Sequence, residues 1–198
     1  MKLDRWLEFF RQHDEKTMFS FSDIVQLIDE DKNSISVQLN RLVRSDVIKR
    51  VTRGWYQNPF NPPGTEEIAM VIRYPSCLSM EYVLSKKDVL SQTVYTLTLV
   101  TTKPTYDYSY DGSHLEYHQI KKSLFFGYNK NGPILTAHVE KAFLDLLYIR
   151  CVKTNEMDMD GVLSLIDDMY LDELNKKQLM DYSKEYPVKV RNILGNIF

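Results

Sequence analysis

Hydrophobic positions in the first quarter of the chain recur every three or four residues, which is the spacing of amphipathic helices. Three such stretches follow one another: Leu3 to Phe10, Ile24 to Ile28 and Ile35 to Val43. Ser20 and Asp23 lie three residues apart before the second stretch, as in a capping box, and Asn33 is placed to cap the third. The pattern therefore predicts three short helices in succession.

The third predicted helix has two different faces. At about 100° per residue, an apolar stripe runs along one side of it, formed by Ile35, Leu39, Leu42 and Val43. The opposite side is polar and basic. It consists of Val37, Arg41 and Arg44, flanked by Ser34, Gln38 and Asn40.

A basic hairpin follows this helix directly. Alternation from Val47 to Val51 predicts one strand, Gly54 allows a tight turn, and Trp55 to Gln57 form the returning strand. A helix followed at once by a hairpin is typical of the end of a winged helix-turn-helix domain. In that arrangement the third helix enters the major groove of DNA. We therefore expect residues 1–58 to be a DNA-binding domain of this class.

A proline-rich stretch separates this domain from the rest of the chain. Residues 59–64 contain three prolines and a glycine, so they continue neither a helix nor a central strand and predict a stiff linker. Residues 65–198 form the second predicted domain. Its helices are expected from Thr65, from Leu78 to Leu84 and from Ala137 onward. Its strands are expected at Val94 to Val100, Tyr106 to Tyr110, Leu115 to Ile120 and Leu124 to Tyr128. The predicted class is α+β, with a small antiparallel sheet flanked by helices in the second domain.

Charge is distributed in a way that favours the DNA-binding hypothesis. The chain as a whole has a formal net charge of −2. The segment from Lys32 to Arg53 is nevertheless strongly basic, because Asp46 is its single acid. Its cations are Lys32, Arg41, Arg44, Lys49, Arg50 and Arg53. Local positive charge on a helix and a hairpin is the electrostatic footprint of a duplex-binding surface.

Several other classes of function are not indicated by the sequence. The chain lacks an apolar run long enough to span a bilayer and its acidic start does not resemble a signal peptide, so a cytoplasmic protein without membrane contact is expected. Cys77 and Cys151 lie far apart and predict buried thiols, not a disulfide framework or a zinc site. The glycines build no phosphate-binding loop. We expect no cofactor, no bound metal and no catalytic residue.

Longer segments resemble a known family. Leu42 to Tyr56 (LVRSDVIKRVTRGWY) is similar to the end of the winged-helix domain in AbiEi-type proteins, the antitoxin and repressor members of type IV toxin–antitoxin systems that act in abortive phage infection. Tyr74 to Leu90, Val94 to Lys103 and Leu124 to Tyr128 resemble successive segments of that family's C-terminal domain. The most specific likeness is Glu140 to Leu147 (EKAFLDLL), which resembles the family's Glu-Lys-Ala-Leu-Leu-Asp helix.

The resemblance implies a regulator with two roles. The first domain would bind inverted repeats in operator DNA and repress its own operon, while the second would counteract a nucleotidyltransferase toxin, with or without a stable complex. The DNA-binding candidates are Ser34, Val37, Gln38, Asn40, Arg41, Arg44, Lys49, Arg50 and Arg53. Arginines on the helix suit guanine edges or phosphates, and the hairpin cations suit phosphates. Ser34 is expected to meet a phosphate beside free backbone N–H groups.

Two polar clusters leave alternatives open. Glu140, Lys141 and Asp145 form either an antitoxic surface or an ordinary pair on the exposed side of their helix, since Lys141 and Asp145 are four residues apart. His114, Glu116 and His118 alternate along a predicted strand, so they share one face. In a metal-dependent, nuclease-like enzyme they would be ligands. A pure protein-interaction module is the remaining alternative, and it would bind no DNA.

Overall fold

The computed structural model of the protein describes residues 2–154 and 158–198. The fold is α+β, as predicted, and the chain divides into two compact units, Met1–Ile72 and Arg73–Phe198. The segment predicted as a linker, residues 59–64, lies within the first unit. Among the described residues, no helix combines the length and the apolar character needed to cross a membrane.

The first unit contains the three predicted helices and the predicted hairpin. Its elements are α1 (Leu3–Gln12), β1 (Met18–Ser20), α2 (Phe21–Leu27), α3 (Lys32–Arg44), β2 (Arg50–Thr52), β3 (Trp55–Gln57) and α4 (Thr65–Ile72). The strands form an antiparallel sheet in the order β1-β3-β2. The strand β1 was not predicted, because three residues are too few to show alternation.

The predicted capping box at the start of α2 is confirmed. The Asp23 N–H donates to the Ser20 hydroxyl over 3.0 Å, and the Ser20 N–H donates to the Asp23 carboxylate over 2.9 Å. The core beneath α2 joins aromatic side chains of α1 to the apolar stripe of α3. Its buried members are Trp6, Phe9, Phe10, Phe19, Ile24, Ile28, Ile35, Leu39, Leu42, Ile48 and Tyr56. This core fixes which side of α3 faces solvent.

The second unit is built on a six-stranded sheet. Its strands are β4 (Ser76–Leu78), β5 (Leu97–Thr101), β6 (Tyr106–Tyr110), β7 (Ser113–Gln119), β8 (Tyr128–Asn131) and β9 (Ile134–Ala137). Its α-helices are α5 (Met80–Lys86), α6 (Val139–Leu147), α7 (Met159–Asp167), α8 (Lys176–Ser183) and α9 (Val188–Ile197). A π-helical turn, Tyr148–Lys153, continues α6, and short 3₁₀ helices cover Lys122–Leu124 and Leu171–Glu173.

The prediction of a small antiparallel sheet is wrong in both size and type. The strand order is β6-β7-β5-β4-β9-β8, and the β5/β7 and β4/β9 pairs are parallel. The strand β4 is central but has only three residues, all buried, so it shows no alternation. The strands β4 and β9 are distant in sequence, and the spacing of hydrophobic residues within each strand does not predict that they pair. The strand predicted from Leu124 to Tyr128 is also wrong, because Leu124 ends a 3₁₀ helix and β8 begins only at Tyr128.

Candidate nucleic-acid interface

The solvent-facing side of α3 brings together Val37, Arg41 and Arg44. At about 100° per residue, these three positions lie within roughly 60° of one another around the helix axis. All three side chains are exposed, and Val37 is 50% exposed. Within residues 2–154 and 158–198, no ion pair engages the guanidinium group of Arg41 or of Arg44. This side of α3 therefore presents two guanidinium groups and one apolar side chain to solvent.

The amino-terminal end of α3 has the opposite charge. Asp31 is the N-cap, and its carboxylate accepts the backbone N–H groups of Asn33 and Ser34 over 2.9 and 3.1 Å. The expectation that Asn33 caps this helix is wrong, because Asp31 precedes it and reaches two N–H groups at once. Asp29 and Glu30 add further negative charge. The free N–H groups expected beside Ser34 are thus already occupied, and the local charge disfavours a phosphate there.

Gln38 is held within the first unit and does not project freely from α3. Its side-chain oxygen accepts the Trp6 indole N–H over 2.9 Å. Its side-chain nitrogen donates to the Glu30 carboxylate over 2.7 Å and to the Ser34 hydroxyl over 2.9 Å. The hydrogen bond from Gln38 lowers the pKa of the Glu30 carboxyl below its ordinary value. These bonds tie α3 to α1 and orient the exposed side of α3.

Asn40 and Arg50 connect α3 to the hairpin. The Arg50 guanidinium donates to the Asn40 side-chain oxygen and lies 5.4 Å from the centroid of the Tyr56 ring. A guanidinium at this distance from an aromatic ring is stabilised by a cation–π interaction. Both predicted binding residues therefore have a partner inside the unit, and their hydrogen bond links the helix to the hairpin.

The hairpin carries its remaining cations on the outside. Lys49 is exposed immediately before β2, and Arg53 is exposed at the turn between β2 and β3. Gly54 follows with φ +79°, a left-handed conformation that glycine adopts without strain and that closes the turn. No hydrogen bond or ion pair holds the Arg53 side chain in the described part of the chain. Within the predicted set, Arg41, Arg44 and Arg53 are therefore free cations in the described part of the chain. Ser34, Gln38, Asn40 and Arg50 are hydrogen-bonded inside the first unit, Lys49 is exposed, and Val37 is an exposed apolar side chain.

No family model matches this chain, and no curated protein does.

The second predicted surface, formed by Glu140, Lys141 and Asp145, is buried. These residues of α6 are 5%, 1% and 0% exposed. Lys141 and Asp145 do pair four residues apart, over 2.5 Å, but inside the second unit. Both the antitoxic surface and the exposed pair are therefore wrong for these residues. Helix α6 is covered all round, and a helical period alone does not reveal how many sides of a helix are covered.

Every polar group of the α6 motif has a partner. The Asp145 carboxylate accepts the Tyr186 hydroxyl and the Ser79 hydroxyl, each over 2.7 Å, in addition to the Lys141 ammonium. The Glu140 carboxylate accepts the backbone N–H of Asn175 over 2.9 Å. Buried charges are tolerated when paired and hydrogen-bonded in this way. The motif fastens α6 to the sheet and to the segments that follow it.

Aromatic rings complete the enclosure of Lys141. Its ammonium lies 5.4 Å from the ring centroids of both Phe126 and Tyr186. Gly127 has φ +67°, and a side chain there would meet the Tyr182 ring at 3.2 Å and Lys141 Cγ at 3.4 Å. Glycine at this position therefore leaves room for the Tyr182 ring and for the Lys141 side chain.

Burial also shifts the acidity of neighbouring groups. Desolvation, reinforced by the Asp145 charge, raises the pKa of the Tyr186 hydroxyl well above its ordinary value. The same two causes raise the pKa of the Cys77 thiol to about 12. Both groups stay neutral at pH 7, so the α6 region contains no activated nucleophile among them. Sequence reasoning missed Ser79 and Tyr186 as partners of Asp145, because they come from distant segments.

The three residues considered as metal ligands do share one face of β7. His114 Nε2 lies 3.4 Å and His118 Nε2 lies 3.5 Å from the carboxylate of Glu116 between them. Burial, reinforced by the nearby Arg150 charge, lowers the pKa of His118. Arg150 itself pairs with Glu81 over 3.0 Å. Among the described residues, no group of three or more His, Cys, Asp or Glu side chains is arranged to hold a metal ion.

Proposed function

We propose that this chain binds double-stranded DNA in a sequence-dependent manner through its first unit. In this proposal the unit is a winged helix-turn-helix domain, α3 lies in the major groove, and the β2–β3 hairpin contacts the phosphate backbone. The order of the elements supports the proposal, since three helices precede a basic hairpin. An α-helix fits the major groove, where the edges of all four base pairs differ.

The main support for the proposal is that two guanidinium groups on the exposed side of α3 form no ion pair within the described residues. Arg41 and Arg44 are one turn apart and lie opposite the buried stripe of the helix. A lone surface arginine is commonplace. Two on one helix face, with Arg53 on the adjoining hairpin and no acid pairing with them in the described ranges, form a directed positive surface.

The proposal extends to the role of an autoregulatory repressor and antitoxin. The sequence resemblance to AbiEi-type proteins supports this part: the first unit would bind inverted repeats upstream of its own operon, and the second would counteract a nucleotidyltransferase toxin in the cytoplasm. The buried α6 motif contributes to this activity only by stabilising the second unit. Its antitoxic residues are therefore to be sought on the surface of that unit.

Fluorescence anisotropy tests the DNA-binding part. The full-length protein is titrated into labelled duplex from upstream of its own gene and into scrambled duplex, each at two salt concentrations. We expect selective binding that weakens with salt, because phosphate contacts release counterions. Substituting both arginines in Arg41→Ala/Arg44→Ala should weaken binding about 100-fold, since each good base contact contributes about 1–3 kcal/mol.

A matched variant separates this effect from a general loss of charge. Lys121→Ala/Lys122→Ala removes two exposed cations from the second unit and should leave binding unchanged. Equal, weak binding to both duplexes would overturn the proposal and favour a protein-interaction module. An equal loss in both double variants would show that net charge, not the α3 surface, determines binding.

Co-expression tests the antitoxin part separately. The full-length protein is produced in bacteria together with a growth-arresting nucleotidyltransferase of the proposed toxin class, taken from the same operon if the operon encodes one, and growth is measured. We expect growth to be restored, both by the native protein and by Arg41→Ala/Arg44→Ala, because the second unit is intact in each. Continued growth arrest with both proteins present would overturn the antitoxin role and leave the DNA-binding proposal standing.

A further inference from the structure

Val37 occupies the centre of the exposed side of α3, and among the described residues it belongs neither to the core of the first unit nor to the partly buried side chains packed against that core. Val37 lies on the opposite side of the helix axis from the buried stripe formed by Ile35, Leu39 and Leu42. Half of its surface is in contact with solvent. Its β-branched side chain is also less favourable in a helix than most straight-chain residues. Neither core packing nor helix stability accounts for valine at this position.

The side chains of Val37, Arg41 and Arg44 are chemically complementary to the edges of base pairs in the major groove. Along the axis, Arg41 lies about 6 Å and Arg44 about 10 Å beyond Val37, at 1.5 Å per residue. Successive base pairs in a duplex are about 3.4 Å apart, so the three side chains span about three base-pair steps. The major groove offers guanine N7 and O6 to arginine, and it offers one apolar group, the C5 methyl of thymine.

We propose that Val37 determines specificity by contacting the C5 methyl of a thymine in the major groove. This inference rests on the proposed DNA-binding function, and it adds the base and the atom that are recognised. The preferred site would place a thymine within about three base pairs of the guanine contacted by Arg41 or Arg44. The acidic residues Asp29 to Asp31 precede α3, and at 1.5 Å per residue Asp31 lies about 9 Å before Val37 along the helix. Base recognition accordingly begins at Val37.

Gln38 makes the contact possible by fixing the orientation of α3. Its hydrogen bonds with Trp6, Glu30 and Ser34 hold the side of the helix adjacent to Val37. A valine side chain has no hydrogen-bonding group, so its contact with a methyl group depends entirely on position. Gln38 is a positioning residue in this scheme, and Val37 is the residue that touches the base.

Thymine-to-deoxyuridine substitution tests the inference, because deoxyuridine lacks only the C5 methyl. A high-affinity duplex is first selected from a random pool with the full-length protein. Each thymine is then replaced in turn, and the Kd is measured by anisotropy. We expect one position in each half-site at which the native protein loses about fourfold in affinity, the effect of one methyl-sized apolar contact.

The Val37→Ser variant assigns that effect to Val37. Serine and valine have similar helix propensities, and the position is exposed, so the variant should fold as the native protein does. It should bind the thymine and deoxyuridine duplexes equally at that position. Val188→Ser changes an equally exposed valine of α9 in the second unit and should keep the full fourfold difference.

Two results would overturn the inference, and they are distinguishable from failure of the proposed function. If the protein selects a sequence but no deoxyuridine substitution weakens binding, Val37 contacts no thymine methyl. The same conclusion follows if Val37→Ser keeps the native loss at that position. If no sequence is selected from the pool at all, the proposed DNA-binding function fails, and the role of Val37 fails with it.

Discussion

Helices α3 and α6 both carry charged residues at helical spacing, yet the structure uses these charges in opposite ways. On α3, Arg41 and Arg44 project into solvent, and no ion pair engages them in the described ranges. On α6, Lys141 is 1% exposed, and its charge is neutralised by the buried Asp145. The comparison shows that a charged motif on a helix indicates a binding surface only when the helix has a solvent side. Where the helix is enclosed, the same residues hold the fold together.

Removing the buried cation should have the largest effect. In Lys141→Met, Asp145 would remain buried without its ion pair, so we expect the free energy of unfolding to fall by about 3–5 kcal/mol. The measurement is urea denaturation followed by circular dichroism. Lys184→Met breaks the exposed pair between Lys184 and Asp181 and should leave the transition unchanged.

A second variant keeps this prediction testable if Lys141→Met fails to fold. Tyr186→Phe deletes a single hydroxyl that donates to Asp145 over 2.7 Å, and it should cost about 1–3 kcal/mol. A loss below about 1 kcal/mol in both variants would contradict the view that these groups stabilise the second unit.

Alkaline pH should weaken the second unit through its buried thiols. An unfolded cysteine ionises near pH 8.5, whereas burial raises the pKa of Cys77 to about 12 and also raises that of Cys151. Above pH 8.5 the unfolded chain therefore loses its thiol protons first, and rising pH favours unfolding. Cys77 should contribute a loss of up to about 1.4 kcal/mol per pH unit.

Urea denaturation at pH 8, 9 and 9.5 measures this slope. The Cys77→Ala variant should show a smaller decline, because the contribution of Cys77 is removed while those of Cys151 and of buried tyrosines such as Tyr186 remain. A decline of equal slope in native protein and variant would show that Cys77 ionises alike in the folded and unfolded chain.

Gln38 on α3 is hydrogen-bonded inside the first unit, so its replacement should lower stability, as replacements in the α6 network should. In Gln38→Ala, the Trp6 indole N–H loses its acceptor, so we expect the free energy of unfolding to fall by about 1–2 kcal/mol. Gln26→Ala, at an exposed position of α2, should have no such effect. Unchanged stability in Gln38→Ala would place Gln38 among the solvent-facing residues, as the pattern first indicated.

The sequence was sufficient to predict elements whose pattern is local. The capping box of Ser20 and Asp23, the apolar stripe of α3 and the hairpin turn at Gly54 all depend on residues within a few positions of one another. It was insufficient where the outcome depends on distant segments. The parallel pairing of β4 with β9 and the enclosure of α6 are of this kind, so the predictions of an antiparallel sheet and of an exposed side of α6 were wrong.

The same distinction between local patterns and distant contacts explains which features of the candidate interface could be predicted. Exposure of Arg41 and Arg44 followed from their position opposite the apolar stripe. The internal bonds of Gln38 and Arg50 did not, because Trp6 lies 32 residues before Gln38 and the Asn40 partner of Arg50 lies on another element. Amide and guanidinium groups can form hydrogen bonds with residues at any distance in sequence. The spacing of residues along one helix therefore does not predict these hydrogen bonds.

The smallest expected effect concerns Arg53, at the hairpin turn. Phosphate contacts contribute affinity but no sequence information, so Arg53→Gln should weaken binding to selected and scrambled duplex by the same few-fold factor. The slope of log K against log salt should decrease in magnitude by about 0.9, the value for one phosphate contact. Arg41→Gln, on the helix, should instead reduce the ratio of the affinity for the selected duplex to the affinity for the scrambled duplex. If Arg53→Gln lowered that ratio as much as Arg41→Gln does, the hairpin would take part in base recognition, and the division of roles between α3 and the hairpin would have to be abandoned.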